Sequence, residues 1–286
     1  MTTEEIERML KDASSELSQA KPSELKRLGI AEIALIKGQK NYCAVLVGIT
    51  QSKLLTILIG RRQEDIRKVL IEWGAEVLEQ IEEVSIDLWQ GYKSLVTELM
   101  PNAQVVADRF HVMAQVNKEL DAQRKQELRH LEDLIIQAKS LADKAKHEQH
   151  LHGLKKSKYV LLKNEKDLTE EQNNKLIQVK EVSPVLKIMH ELKEKIRTIF
   201  EQTNNWLPAL FKLGIWLSQA KRYFPNSQKS MIRWLAEIIA YFDNRTTNGV
   251  VEGINNKLKL IKRSAYGFRN LENFRARCWL TWHFSY

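Results

Sequence analysis

Asp87, Asp108, His111 and Glu252 are the side chains of this 286-residue chain whose types and settings best suit chemistry. They occur in Val84-Ser85-Ile86-Asp87-Leu88-Trp89, in Ala107-Asp108-Arg109-Phe110-His111, and in Asn248-Gly249-Val250-Val251-Glu252-Gly253-Ile254-Asn255-Asn256-Lys257. Carboxylates from separate elements are hard oxygen donors, and Mg²⁺ takes a few of them together with waters and phosphate oxygens. Two such cations roughly 3.5–4 Å apart activate an attacking oxygen and stabilise a leaving oxygen. Gathered in one pocket, these residues would suit metal-assisted phosphodiester chemistry. Taken singly they have plainer explanations: an Asp after a strand commonly caps a helix or turn, and a Glu on a helix is commonly solvated.

The elements that would gather them follow from the apolar pattern. Three apolar runs, 28–36, 42–49 and 54–59, are separated by segments of hairpin-turn length, 37–40 and 50–53, and predict a three-stranded meander. Ile66, Val69, Leu70, Trp73 and Val77 then recur at helical spacing. Val84–Ile86 predicts a fourth strand ending on Asp87, a helix with Tyr92, Leu95, Val96 and Leu99 on one face stops at Pro101, and Val105–Ala107 predicts a fifth strand ending on Asp108. The predicted order is βββαβαβ. In open α/β sheets ligand sites gather at the carboxyl ends of strands, where Asp87 and Asp108 fall.

Beyond Phe110 the periodicity is helical. Thr169-Glu170-Glu171-Gln172 is a capping box, and Ser183-Pro184 opens a helix carrying Val185, Met189, Leu192, Ile196 and Ile199. His147, His150 and His152 are read as a solvent-exposed loop, and Trp73, Trp216 and Trp234 as core. The expected division is 1–24 as a helical lead-in, 25–120 as the first part of the α/β core, 121–240 as a helical insertion, and 241–286 as the last core helix with a basic tail.

The motifs, in this order, resemble the DDE catalytic domain of bacterial insertion-sequence transposases, in the branch related to Mutator-like elements. Lys26-Arg27-Leu28-Gly29-Ile30, Tyr92-Lys93 and Ala265-Tyr266-Gly267-Phe268 also read like that family, and the match runs from about residue 25 to 277. The resemblance implies an RNase H-like mixed five-stranded α/β sheet with a large helical insertion before the last catalytic helix. It implies Asp87 as the second catalytic acid, Asp108 and His111 as the Asp-x-x-His signature, and Glu252 as the final Glu. A second alignment makes Asp108 the second acid. The implied metal ligands are Asp87 and Glu252, and the implied cofactor is Mg²⁺ or Mn²⁺.

The resemblance fails at one catalytic position. The family pattern Gly-Ile-Asp-Glu reads Gly29-Ile30-Ala31-Glu32 here, so Ala31 stands where the first acid belongs. Glu32 does not replace it, because adjacent strand residues point to opposite faces. Gly48 likewise stands where relatives carry an Asp. The expectation is a transposase-like DNA-binding and strand-transfer domain with impaired or absent cleavage, truncated ahead of the catalytic region, or else a non-enzymatic DNA-binding regulator descended from one.

Composition bounds the partners. The net charge is +9, and from Asn255 onward seven basic residues oppose Glu272 alone, as suits a phosphate-facing surface. Asn255, Asn256, Lys257, Lys259, Lys262 and Arg263 are the candidate DNA contacts; Glu252 shares a helical stripe with four of them, Asn255, Asn256, Lys259 and Arg263. The expected partners are DNA and a homo-oligomer or mixed oligomer with a full-length transposase. No export signal or membrane span is apparent, which predicts the cytoplasm. Two distant cysteines, Cys43 and Cys278, exclude a zinc ribbon built by this chain and are read as buried, inert thiols.

Overall fold

In the computed structural model the described residues are 2, 5, 8, 9, 12, 21–34, 42–58, 60–246, 249–264 and 271–283. The expected turn at 37–40 and the motif at 265–268 lie outside them, as does most of the expected lead-in helix. The five strands are β1 (Arg27–Ala34), β2 (Tyr42–Gly48), β3 (Lys53–Leu58), β4 (Glu83–Ile86) and β5 (Gln104–Ala107). They form one sheet in the order β3-β2-β1-β4-β5, antiparallel from β1 to β3 and parallel from β1 through β4 to β5. This is the mixed α/β sheet expected of an RNase H-like fold.

Burial of β1 on both faces explains why Glu32 is the one charged residue between Leu28 and Ala34. On one face Ala31 and Ile33 join Cys43, Val45 and Val47 of β2 against helices α12 (Gly249–Ser264) and α13 (Leu271–His283). Both cysteines are free and buried in this cluster; burial pushes the Cys43 thiol up and the Cys278 thiol up to about 12, so neither is a thiolate at neutral pH. On the other face lies α3 (Gln90–Leu99), whose Tyr92 donates its hydroxyl to Glu32 at 3.1 Å. Helices α1 (Gln63–Trp73) and α2 (Ala75–Glu79) link β3 to β4.

The chain forms two compact units, Met1–Asp108 with Thr246–Tyr286, and Arg109–Arg245. The second holds α4 (Arg109–Gln137), α5 (Leu141–Leu154), α6 (Lys158–Leu162), α7 (Glu170–Val182), α8 (Pro184–Gln202), α9 (Trp206–Ala220), α10 (Pro225–Arg233) and α11 (Leu235–Asn244). One continuous helix, α4, spans position 120. The insertion expected over 121–240 lies within this unit.

Local chemistry accounts for its helix ends. Thr169 and Gln172 form the capping box that starts α7, and Ser183 accepts the Leu186 N–H with Pro184 in the first turn of α8. His147, His150 and His152 correct the loop reading, since they sit on α5. The Ser140 side chain accepts the Asp143 N–H at the start of α5, a capping signal of short polar residues that the run of histidines obscures. Trp73, Trp216 and Trp234 are buried as expected. Trp206 is exposed.

Candidate functional site

Strand register places the expected acids. Ile30 pairs with Ile86 across β1 and β4, and Ile86 pairs with Ala107 across β4 and β5. Continuing that register by one residue sets Ala31, inside β1, level with Asp87 and Asp108, which directly follow the ends of β4 and β5. In-register neighbours in a parallel sheet present their side chains to the same face. That face is the one covered by α12, because Ala31 packs in the cluster with Val251 and Ile254. The Asp108 N–H donates to the Ile86 carbonyl at 3.1 Å, which locks the turn after β5 to the end of β4.

Asp108 is buried, and it immediately precedes α4, where the exposed N–H groups of a helix start favour negative charge. His111 follows in the first turn of that helix. Asp87, Asp108 and His111 each offer one ligand atom, and these atoms all lie within 4.8 Å of one another. Two carboxylate oxygens and an imidazole nitrogen at that spacing fit one divalent cation. The nitrogen donor suits Mn²⁺ better than Mg²⁺, which prefers oxygen throughout.

Ala31 contributes a methyl group beside these acids and no ligand. Glu32 points the other way, held by Tyr92 and by an ion pair with Arg61 at 3.1 Å. Gly48 pairs with Leu28, so it belongs to the face opposite Ala31 and has no place in this group.

Glu252 is exposed on α12 and stands outside the group formed by Asp87, Asp108 and His111. Its helix is nevertheless pressed onto β1: a Cβ built at Gly29 would lie 2.5 Å from Val251 Cγ2, so only glycine allows this approach. Val251, Ile254, Leu258 and Ile261 form the buried face of α12, which turns Glu252, Asn256, Lys259 and Arg263 to solvent. Asn255 is half-buried. Lys257 lies over the Trp282 ring at 4.3 Å, and Lys262 donates to the Ala34 carbonyl at 3.3 Å. The expected basic stripe is therefore split between exposed residues and residues engaged with the protein.

Glu83 was not singled out from the sequence. It is buried at the start of β4, paired with Arg27 at 3.4 Å, and it accepts a hydrogen bond from Thr246, a few residues ahead of α12. The signal was the alternation Glu83, Ser85, Asp87 in a strand whose other residues are apolar, which puts three polar groups on one face.

The family described as transposase, of the DDE type and the ISL3 group, matches residues 28–278. The chain is 30% identical over 270 residues to the transposase for insertion sequence element IS1557 of Mycobacterium tuberculosis, a match covering 90% of this chain and 60% of that protein. It is 27% identical over 262 residues to the transposase for insertion sequence element IS1001 of Bordetella parapertussis, covering 88% of this chain and 60% of that protein. The chain thus spans about 60% of the length of these curated relatives.

Proposed function

Since the chain belongs to this transposase family along most of its length, we propose that it is the DNA-binding and strand-transfer region of an insertion-sequence transposase, with cleavage impaired by Ala31. The observation that carries this reading is the register that sets Ala31 of β1 level with Asp87 and Asp108, which directly follow β4 and β5. Asp87, next in register to Ala31, takes the role of second acid. Asp108 and His111 are the signature pair that supports the kinship with Mutator-like elements, and Glu252 is the third carboxylate of the family's set.

Asp87 and Asp108, with His111 beside them, hold a divalent cation, Mg²⁺ or Mn²⁺. When bound, such an ion polarises phosphate oxygens and lowers the pKa of bound water. Ala31 removes one carboxylate from the site, which weakens the hold on a pair of cations. The exposed Asn256, Lys259 and Arg263 approach DNA phosphates, flanked by Asn255, Lys257 and Lys262. Gly253 supports this, because nothing lies within 4 Å of where its Cβ would stand, leaving bare backbone one residue after Glu252. Binding then weakens as salt rises, by a slope of about 0.9 per phosphate neutralised on a log–log plot.

DNA is the substrate class, and a homo-oligomer or a mixed oligomer with a full-length transposase is the proposed working form, in the cytoplasm. No helix among the described residues is long and apolar enough to cross a membrane. The methyl group of Ala31 favours one second reading, a non-enzymatic DNA-binding regulator derived from a transposase.

Plasmid nicking with Mg²⁺ or Mn²⁺ tests both. The chain as it stands should nick poorly, and Ala31→Asp should raise the rate. Robust nicking by the unmodified chain overturns the impairment. Salt-dependent duplex binding with no nicking by either form favours the regulator.

A further inference from the structure

A basic turn in the helical unit plays no part in the chemistry described so far. Residues 149–164 hold four lysines, Lys155, Lys156, Lys158 and Lys163, with His150 and His152, and no acid. They cover the end of α5, the turn 155–157 and all of α6.

The turn is fixed from its inner side. Leu154, Val160 and Leu161 are buried, and the buried Ser157 hydroxyl donates to the Leu154 carbonyl at 2.6 Å. Lys155, Lys156 and Lys158 flank Ser157 and are exposed. Tyr159 follows, 58% exposed, with the Lys163 ammonium 5.4 Å from its ring centroid. The seat thus presents three ammonium groups and a phenol to solvent.

Local folding preferences do not explain these lysines. The carboxyl end of α5 favours a cation, but Lys175 already donates to the His152 carbonyl there at 3.3 Å. Lys156 has a φ of 59°, the left-handed conformation in which glycine is the usual residue after a helix. Lys158 is the first residue of α6, and a helix start favours an acid. Among the described residues none of the three is in an ion pair, and Glu165, the next acid along the chain, is paired with Lys180 at 3.3 Å.

Exposed, unpaired cations on a fixed turn suit a partner that brings closely and regularly spaced anions. A DNA duplex carries one phosphate per about 1.7 Å of its axis, and lysine and tyrosine side chains both reach phosphate oxygens. Resting on the reading of the chain as a DNA-handling transposase, we propose that Lys155, Lys156, Lys158 and Tyr159 form a second DNA contact. It belongs to the helical unit, is separate from α12, and grips the phosphate backbone without regard to sequence.

The full chain is titrated with a short labelled duplex of arbitrary sequence from about 50 to 200 mM NaCl. Lys155→Gln/Lys156→Gln/Lys158→Gln should lower the log–log salt slope by about 2 to 3. Lys187→Gln/Lys221→Gln/Lys229→Gln, an equal loss of charge from exposed lysines elsewhere on the unit, should leave the slope unchanged. Lys156→Gly separates folding from binding: it relieves the left-handed strain, so the melting temperature should rise while duplex affinity falls. A gain in stability with affinity unchanged would mark the turn as purely structural and overturn the contact. Equal losses in the two triple variants overturn it as well. An unchanged slope in the first triple variant, while Lys259→Gln/Arg263→Gln lowers it, overturns this contact and leaves the proposed function standing. Absence of salt-dependent duplex binding by the unmodified chain overturns the DNA-binding reading itself. Should the first triple variant lose its far-UV circular dichroism, Lys156→Gly alone decides.

Discussion

The group of acids that follows β4 and β5 and the ion cluster inside the helical unit bury charge by opposite rules. In the helical unit Lys193 is fully buried, yet its ammonium donates to the Leu161 carbonyl at 2.9 Å and the Lys163 carbonyl at 2.7 Å and pairs with Glu194. It closes the carboxyl end of α6, where a helix leaves carbonyls without internal partners and favours a cation. His190 lies 3.4 Å from it. Each charge there has an opposite or a dipole to meet. At the strand ends two acids and an imidazole converge within 4.8 Å. The first arrangement sets cations against carboxylates and carbonyls within one unit, whereas the second gathers donors of the kind that ligate a cation. What separates a structural ion cluster from a candidate site is thus the sign of the charges gathered, rather than their burial.

Removing one partner from the balanced cluster should have the largest effect. Lys193→Ala leaves the Glu194 charge and two carbonyls without their cation, and should cost about 3–5 kcal/mol in denaturant unfolding, the range for breaking a buried pair. A loss within the scatter of surface substitutions would break the comparison. The converging acids should respond to metal instead. Mn²⁺ at about a hundred times its dissociation constant should raise stability by about 2.7 kcal/mol, and Asp87→Asn or Asp108→Asn should abolish that gain. An unchanged Mn²⁺ response in both variants would remove the site from these residues.

The third effect is graded by pH. Burial, then the neighbouring Lys193, Lys180 and Arg197, hold His190 down to about 3, outweighing Glu165 at 3.5 Å and Glu194 at 3.9 Å. The folded state therefore keeps His190 neutral, while the unfolded chain takes up a proton below about 6.5. Stability from this group is intact above that pH and falls by about 1.4 kcal/mol per unit as the pH drops toward 3. Melting curves between pH 7 and 4 should show this slope, and His190→Gln should flatten it. A slope identical in both proteins would show that His190 is not held neutral.

Much of the sheet was legible because the strands are short apolar runs punctuated by turn residues, and because Asp87 and Asp108 sit at their ends. What one chain could not reveal was which residues face each other. Register put Gly48 on the face away from Ala31, although the two lie in the same meander. The helix α4 begins at Arg109 and runs without interruption through position 120, a continuity that the polar residues between its apolar positions do not announce. Lys193 was missed because a lysine reads as surface, although its spacing from Met189 and Ile196 sets it on the buried stripe of α8. Glu252 was legible as a helical acid, but its exposure depends on how Val251 meets Gly29, a contact between distant parts of the chain.

The sheet unit is assembled from two stretches that the ribosome delivers far apart in time. Strands β1 to β5 emerge early, but the helix that covers Ala31 and Val45 arrives only after residues 109–245 have been made. Until then one side of the nascent sheet is greasy and uncovered, and closing so long an intervening stretch is entropically costly and slow. That interval, in which the uncovered sheet face favours aggregation, ends when α12 and α13 dock on it.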